Sequence, residues 1–306
     1  MNDLPSPALD GAAPLSHLGV IRVQGDDAAP FLHSQLTQDF LHLAADQARL
    51  AALLSPKGRM LTSMIGVWLA NDDIALVCSR DLLVATLKRL SLFVLRAKAR
   101  LSEATAQFQL WGLAGSAAQA ALPPGATPWQ QHVQGGAASV RLYPAAGQSR
   151  ALWLAPADHA APDAPSLAQA HWLWSEVASG VATLSAALTD KLVPQMLNYE
   201  SIGGVSFKKG CYPGQEVVAR SQFRGAIKRR TYLAHLPAHC APGTEIHAAG
   251  HPDEPVGLVA QCANAPDGSA AALVVLQIAA ADATLQTATG VPLTLQPLPY
   301  ALLQDI

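Results

Sequence analysis

GGVSFKKGCYPGQEVVARSQFRGAIKRR, residues 203–230, concentrates backbone-special and reactive residue types in one segment. Gly203-Gly204, Gly210 and Pro213-Gly214 mark tight turns or close backbone approaches. Val205 and Phe207 alternate with polar residues, the pattern of a short half-buried strand. Lys208-Lys209-Gly210 then turns the chain and delivers Cys211. After Pro213 the pattern becomes helical, with Glu216 in the first turn, Arg220 four residues on and Gly225 as a stop.

That local geometry predicts chemistry. A thiol just ahead of a helix N-terminus, beside two lysines, is biased towards the thiolate by the helix dipole and by the ammonium charges. A single cysteine is ordinarily a small buried hydrophobe. The Gly, Lys and Pro-Gly neighbours argue against an apolar burial here. Cys211 is therefore the candidate reactive residue, with Lys208 and Lys209 as its electrostatic activators.

Composition sets the frame. A chain of 306 residues and 32.0 kDa can bury a sizeable core and divide into two or three domains. Half of the residues are hydrophobic and 14% are charged, which excludes a disordered chain. No apolar run reaches the roughly 18–20 residues that span a bilayer. MNDLPSPALDGAAP lacks a basic and an apolar signal region, so residues 1–14 read as a flexible tail. Cys78, Cys211, Cys240 and Cys262 are far apart in sequence, without a CxxC, and fit neither a zinc site nor a disulfide framework. A reducing cytoplasm is the expected setting. The net charge of -2 excludes a chain that is basic overall, though not a local basic patch.

Along the chain, Gly19–Val23 alternates as a strand. The segment from Asp26 to Ala48 predicts a helix through Ala28, Phe31, Leu32, Leu36 and Phe40, with Asp26 or Asp27 as N-cap and Pro30 in its first turn. Leu50–Leu54 reads as a strand, residues 55–58 as a turn, and Met60–Leu69 with Ile74–Cys78 as a hairpin. Asp81 is the candidate cap of a helix carrying Leu83, Leu87, Leu90, Phe93 and Val94 on one face. Further strands are expected near residues 97–101, 107–113, 139–143 and 151–154, and a helix over Leu167–Val177. Beyond Arg230, short runs at 231–236, 256–261, 271–276 and 293–297 predict a small barrel or sandwich. The expected division is a tail (1–14), an α+β region of two intertwined subdomains (15–229) and a C-terminal β-domain (230–306).

The run SFKKGCYPGQEVVAR closely resembles the K-G-C-[FY]-x-G-Q-E signature of the YgfZ family of folate-binding proteins, relatives of the glycine cleavage system T-protein. VIRVQGDDAAPFLHSQLTQDF, SPKGRML, QFRGAIKR and PLPYALL extend the resemblance from about Gly19 to the C-terminus, weakest over 115–165. It implies an α+β fold, ring-like and multi-domain, closed by a C-terminal β-barrel and with folate in a central channel. Trp172 stands where the family carries a Trp implicated in folate binding, and an indole face can stack on a pterin. It could equally be a core residue. A second family Trp is matched by His17 and Leu18.

The candidate cofactor-binding residues are Trp172, Lys57, Arg59, Gln215, Arg220 and Arg224. Lys57 and Arg59 are either solvated turn cations or contacts to a folate glutamate tail or phosphate. Arg220, Arg224, Lys228, Arg229 and Arg230, interleaved with Phe223, are either a solvated face or a surface for an anionic tail or nucleic acid. Glu216 reads as a partner of Arg220 rather than an acid–base group. His235/His239 and His247/His251 have HxxxH spacing, but only a helix would align their imidazoles, so no metal is expected.

The resemblance implies a cytoplasmic accessory protein that binds tetrahydrofolate or a derivative. It would support iron–sulfur cluster assembly or repair and, through iron–sulfur partner enzymes, tRNA modification; no membrane or direct nucleic-acid partner is expected. One alternative is a T-protein-like aminomethyltransferase, which uses a carboxylate on the strand after the glycine turn. GRMLTSMIG offers Thr62 and Ser63 there but no Asp. A second alternative is a direct tRNA-binding module. Whether the protein turns over a substrate, and which folate form it takes, the sequence leaves open.

Overall fold

The computed structural model describes residues 9–251 and 253–303. Among them, the first ten strands are β1 (Gly11–Pro14), β2 (Leu18–Gln24), β3 (Ala48–Leu54), β4 (Met60–Ala70), β5 (Asp73–Ser79), β6 (Arg100–Glu103), β7 (Phe108–Ala114), β8 (Gln131–Gln134), β9 (Ala137–Ala145) and β10 (Gln148–Pro156). They make two five-stranded antiparallel sheets, ordered β3-β4-β5-β2-β6 and β1-β7-β10-β9-β8. The helices are α1 (Ala28–Gln35), α2 (Arg80–Ser91), α3 (Ser116–Ala120), α4 (Gln169–Ala178) and α5 (Gln215–Phe223). β11 (Arg229–Leu236), β12 (Glu245–Ala248), β13 (Pro255–Asn264), β14 (Ala270–Gln277), β15 (Leu285–Thr287) and β16 (Pro292–Gln296) close into a six-stranded barrel.

Several local expectations are corrected by tertiary contacts. Residues 1–8 of the expected tail lie outside the described residues. Residues 9–14 are not a tail, because Leu9 is buried and Gly11–Pro14 pairs with β7. The first helix ends at Gln35, well short of Phe40. Leu36 is extended and bridges Leu53, while Thr37 N–H donates to Ala52 O (3.1 Å). The Thr37 hydroxyl accepts from Ala52 N–H (2.8 Å) and donates to Gly204 O (2.6 Å). Sheet-edge bonding thus overrides helical periodicity.

Asp27 is the N-cap of α1, as expected, but neither Asp27 nor Asp81 makes a side-chain cap bond. Asp27 accepts from Lys98 N–H instead (2.7 Å), and Asp81, inside the first turn of α2, accepts from Ala186 N–H (2.9 Å). No strand forms at Val205–Phe207, whose backbone makes a single bond from Ser206 N–H to Thr37 O (2.9 Å).

The cores position the sites. One cluster joins Leu50, Leu54 and Met60 of the first sheet with Val177 of α4, Tyr199, Val205 and Tyr212. The same cluster takes in Leu233, Ala260, Leu273 and Val275 of the barrel. A second core fills the space between the two sheets around Trp172. A third lies under α1 and α2, and a fourth fills the barrel.

Candidate functional site

Where the two sheets meet α4, a narrow cavity of about 60 Å³, partly open to solvent, is enclosed chiefly by Leu15, Leu18, Leu50, Ile65, Val77 and Leu142. Half-buried Trp129 and Tyr143 supply aromatic surface, their rings meeting edge-on at 6.0 Å. Trp129 is held by its indole N–H, which donates to Ile202 O (2.7 Å).

The charged groups on the cavity wall are Arg150 and Glu176. Glu176 lies one helical turn beyond Trp172 on α4, so both face the cavity. Its Oε1 accepts from Trp172 Nε1 (2.8 Å) and pairs with His17 Nε2 (3.1 Å), which reaches it from the β1–β2 connection. Burial works to raise the Glu176 pKa. The bond and charge of His17, the charge of Arg150 and the indole N–H outweigh it and hold the carboxyl below its usual value. Burial likewise disfavours the His17 imidazolium, yet the bond and charge of Glu176 raise its pKa.

Arg150 is buried, its guanidinium 4.4 Å over the Trp172 ring and Nη1 3.4 Å from Tyr143 O, while Nε has no partner. Burial brings its pKa down to about 10, only partly opposed by the charge of Glu176. A buried, half-satisfied cation on an otherwise apolar wall is poised for an acceptor on a ligand. Trp172 itself presents no free face. It is fully buried beneath Arg150 and against Gly112, where a Cβ would come within 2.3 Å of the indole.

Ser63, on the strand where an aminomethyltransferase would carry its carboxylate, does line the cavity, and its hydroxyl accepts from Leu184 N–H (2.8 Å). Thr62 turns away to the Thr86 hydroxyl.

Cys211 stands elsewhere, exposed on the turn ahead of α5. Gly214, the N-cap of α5, has φ +79°, and a Cβ there would meet Ser55 O at 2.5 Å and Gly58 Cα at 2.8 Å. The SPKG and PG turns, far apart in sequence, therefore lie backbone to backbone. Gln215, the first helical residue, accepts from Tyr212 N–H (3.2 Å) and donates its amide to Cys211 Sγ (3.5 Å). The Lys209 ammonium donates to His33 O and to Leu36 O (3.0 Å) at the end of α1, and lies 4.4 Å over Tyr212. Burial brings its pKa down to about 8, against the charges of Asp39 and Cys211.

Lys208 and Lys57 are exposed, and Arg59 donates to Asp190 O (3.2 Å). Arg220 pairs with Glu216 at 2.6 Å, and Arg224 is exposed. The candidate cofactor residues thus divide. Trp172 lines the cavity, whereas Lys57, Arg59, Gln215, Arg220 and Arg224 do not. Arg230 leaves the solvated basic run altogether, buried with Nη1 2.6 Å from Glu200 Oε1.

Sequence reasoning missed Arg150, Glu176, Trp129 and Tyr143. Helical spacing from Trp172 could have indicated Glu176, but nothing local marks the other three. It also missed Asp39, which bridges His33 (3.0 Å) and His42 (2.7 Å) beside Gly210.

No protein-family model matches the chain. The tRNA-modifying protein YgfZ of Yersinia pestis (strain Pestoides F) is 30% identical over 308 residues, covering 95% of this chain and 92% of its own length. The chain belongs to the YgfZ family. The YgfZ protein of Sodalis glossinidius (strain morsitans) is similar at 31% identity, over 94% of this chain and 92% of its own. Among solved structures, the glycine cleavage system aminomethyltransferase T from Bartonella henselae superposes with a TM-score of 0.71 at 17% identity. The match spans 95% of this chain and 87% of that one, so this YgfZ-family chain has the α+β aminomethyltransferase T fold with a closed C-terminal barrel. No helix among the described residues is long and apolar enough to cross a membrane.

Proposed function

We propose that this protein binds a reduced folate in the cavity between the two sheets. In that reading it supports iron–sulfur proteins, and through them tRNA modification, with Cys211 as its reactive thiol. The observation that carries the folate reading is Arg150 Nε, a buried donor without a partner on the wall of a largely apolar cavity. A pterin offers a flat heteroaromatic ring with an edge rich in acceptors and donors, which suits that wall. A bound reduced folate would supply a carrier for one-carbon units.

Trp129 and Tyr143, half-buried, are the rings that can cover a ligand, while Trp172 backs Arg150. Arg150 and Glu176 hold fixed donor and acceptor positions, His17 keeps Glu176 ionised, and the leucines around them exclude water. An aminomethyltransferase reading is disfavoured because Ser63 offers no carboxylate at its place on the wall.

Calorimetric titration with tetrahydrofolate tests the folate site. Micromolar binding by the wild type that Arg150→Met weakens supports it, and no binding by the wild type overturns it. The thiol role is tested separately in a null strain. Cys211→Ala should fail to restore iron–sulfur enzyme activity, and full restoration would remove Cys211 from the function.

A further inference from the structure

Two of the thiols lie outside both sites. Cys240 follows β11 in a connection without regular structure, and Cys262 lies on β13 opposite Ala272. They are 22 positions apart, yet the Cys240 backbone N–H donates to Cys262 Sγ at 3.4 Å. Both pack against the barrel core and remain only partly buried, so a small oxidant has access. No third His, Cys, Asp or Glu among the described residues completes a metal-binding group with them. Two adjacent sulfurs without further ligands suit redox chemistry better than metal binding.

We propose that Cys240 and Cys262 form a redox-active dithiol which a peroxide converts into an intramolecular disulfide. Cys262 is the attacking sulfur. The neighbouring Cys240, through its side chain and its N–H, outweighs burial and lowers the Cys262 pKa, with His239 and the Ala263 N–H acting in the same direction. The Cys262 sulfur, together with burial, raises the Cys240 pKa.

The Cys262 thiolate attacks one peroxide oxygen. The O–O bond breaks, hydroxide leaves and takes a proton to become water, and Cys262 becomes a sulfenic acid. Cys240 then attacks that sulfur. The S–S bond forms, the S–O bond breaks, and the departing hydroxide combines with the Cys240 proton as a second water. Two thiols lose two electrons and one peroxide gains them. The Cys240 backbone already lies within 3.4 Å of Cys262 Sγ, and Cys240 sits on a connection outside any strand.

The test uses the full chain with Cys211→Ser, which leaves three thiols. The protein is treated with hydrogen peroxide, denatured and alkylated with N-ethylmaleimide. One alkylated thiol (Cys78), a mass lower by two hydrogens, a cross-linked Cys240–Cys262 peptide and full reversal by dithiothreitol are expected. Three alkylated thiols, or Cys262 oxidised to the sulfinic acid without a cross-link, would overturn the proposal. Adding Cys240→Ser should stop the reaction at a Cys262 sulfenic acid that dimedone captures. The parent protein alone decides the question should that variant not fold.

Discussion

The Arg150 guanidinium lies over the Trp172 indole with Glu176 bonded to the edge of the same ring, so three buried side chains form one layered unit beside the cavity. Trp172 and Glu176 satisfy each other, whereas Arg150 keeps an unpaired Nε. Replacing Arg150 with an apolar chain of similar length removes a buried cation that lacks a full partner set, but also one of the charges that hold Glu176, the partner of His17, so the two effects on the fold largely offset. Arg150→Met is therefore expected to hold the melting temperature while weakening tetrahydrofolate binding about tenfold, or about 1.4 kcal/mol. Thermal unfolding and calorimetry on one preparation read both effects. A large drop in melting temperature would mean that the cation is structural.

His17 and Glu176 titrate as partners in opposite senses. The folded His17 pKa is raised from 6.5, so its contribution is complete below pH 6.5 and is lost as pH climbs through the higher folded value. The Glu176 pKa is lowered from 4.5, so its contribution is complete above pH 4.5 and is lost as pH falls through the lower folded value. The pair stabilises most between the two. Denaturant midpoints measured from about pH 5 to about pH 9 should decline on the alkaline side, and His17→Gln should flatten that decline. An unchanged slope in the variant would remove His17 as its source.

Gly214→Ala adds a Cβ at φ +79° with Ser55 O only 2.5 Å away. The left-handed backbone alone costs a non-glycine residue about 1–2 kcal/mol, and the contact is with backbone that cannot swing aside. A loss of about 2 kcal/mol or more in urea unfolding is expected, because two turns must separate for the methyl to fit.

Lys209→Met removes two charge-assisted bonds to the end of α1 and should lower stability by about 1.5–3 kcal/mol. Lys208→Met, at an exposed position, should leave stability unchanged. The expected role of Lys209 as an activator of the thiol is tested separately: iodoacetamide should alkylate Cys211 more slowly in Lys209→Met. An equal rate would leave Lys209 as an anchor alone.

Local pattern made the strands and hairpins of the first sheet legible, because alternation carries its own signal in β2 to β5. The Glu216–Arg220 pair was equally local. The α+β class and the barrel were legible from the family signature and the spacing of turns. What sequence hid was long-range. Trp129, Tyr143 and Arg150 reach the cavity from the segment where the family resemblance is weakest. The Lys209 contact depends on where α1 stops, and that is set by Thr37 bonding to Ala52 and Gly204. Cys240 and Cys262 read as unrelated because only barrel closure brings them together.

The core beneath Tyr212 borrows Leu233, Ala260, Leu273 and Val275 from the barrel, with Tyr300 at its margin donating its hydroxyl to Gly180 O (2.7 Å). During synthesis the segment holding Cys211 is made before those side chains. At roughly 5–20 residues per second, the Cys211 turn waits several seconds for the barrel strands, and the nascent chain exposes an unfinished apolar surface meanwhile. Shielding by a chaperone matters most in that interval, and the reactive turn is assembled only once the barrel strands that complete its core have been made.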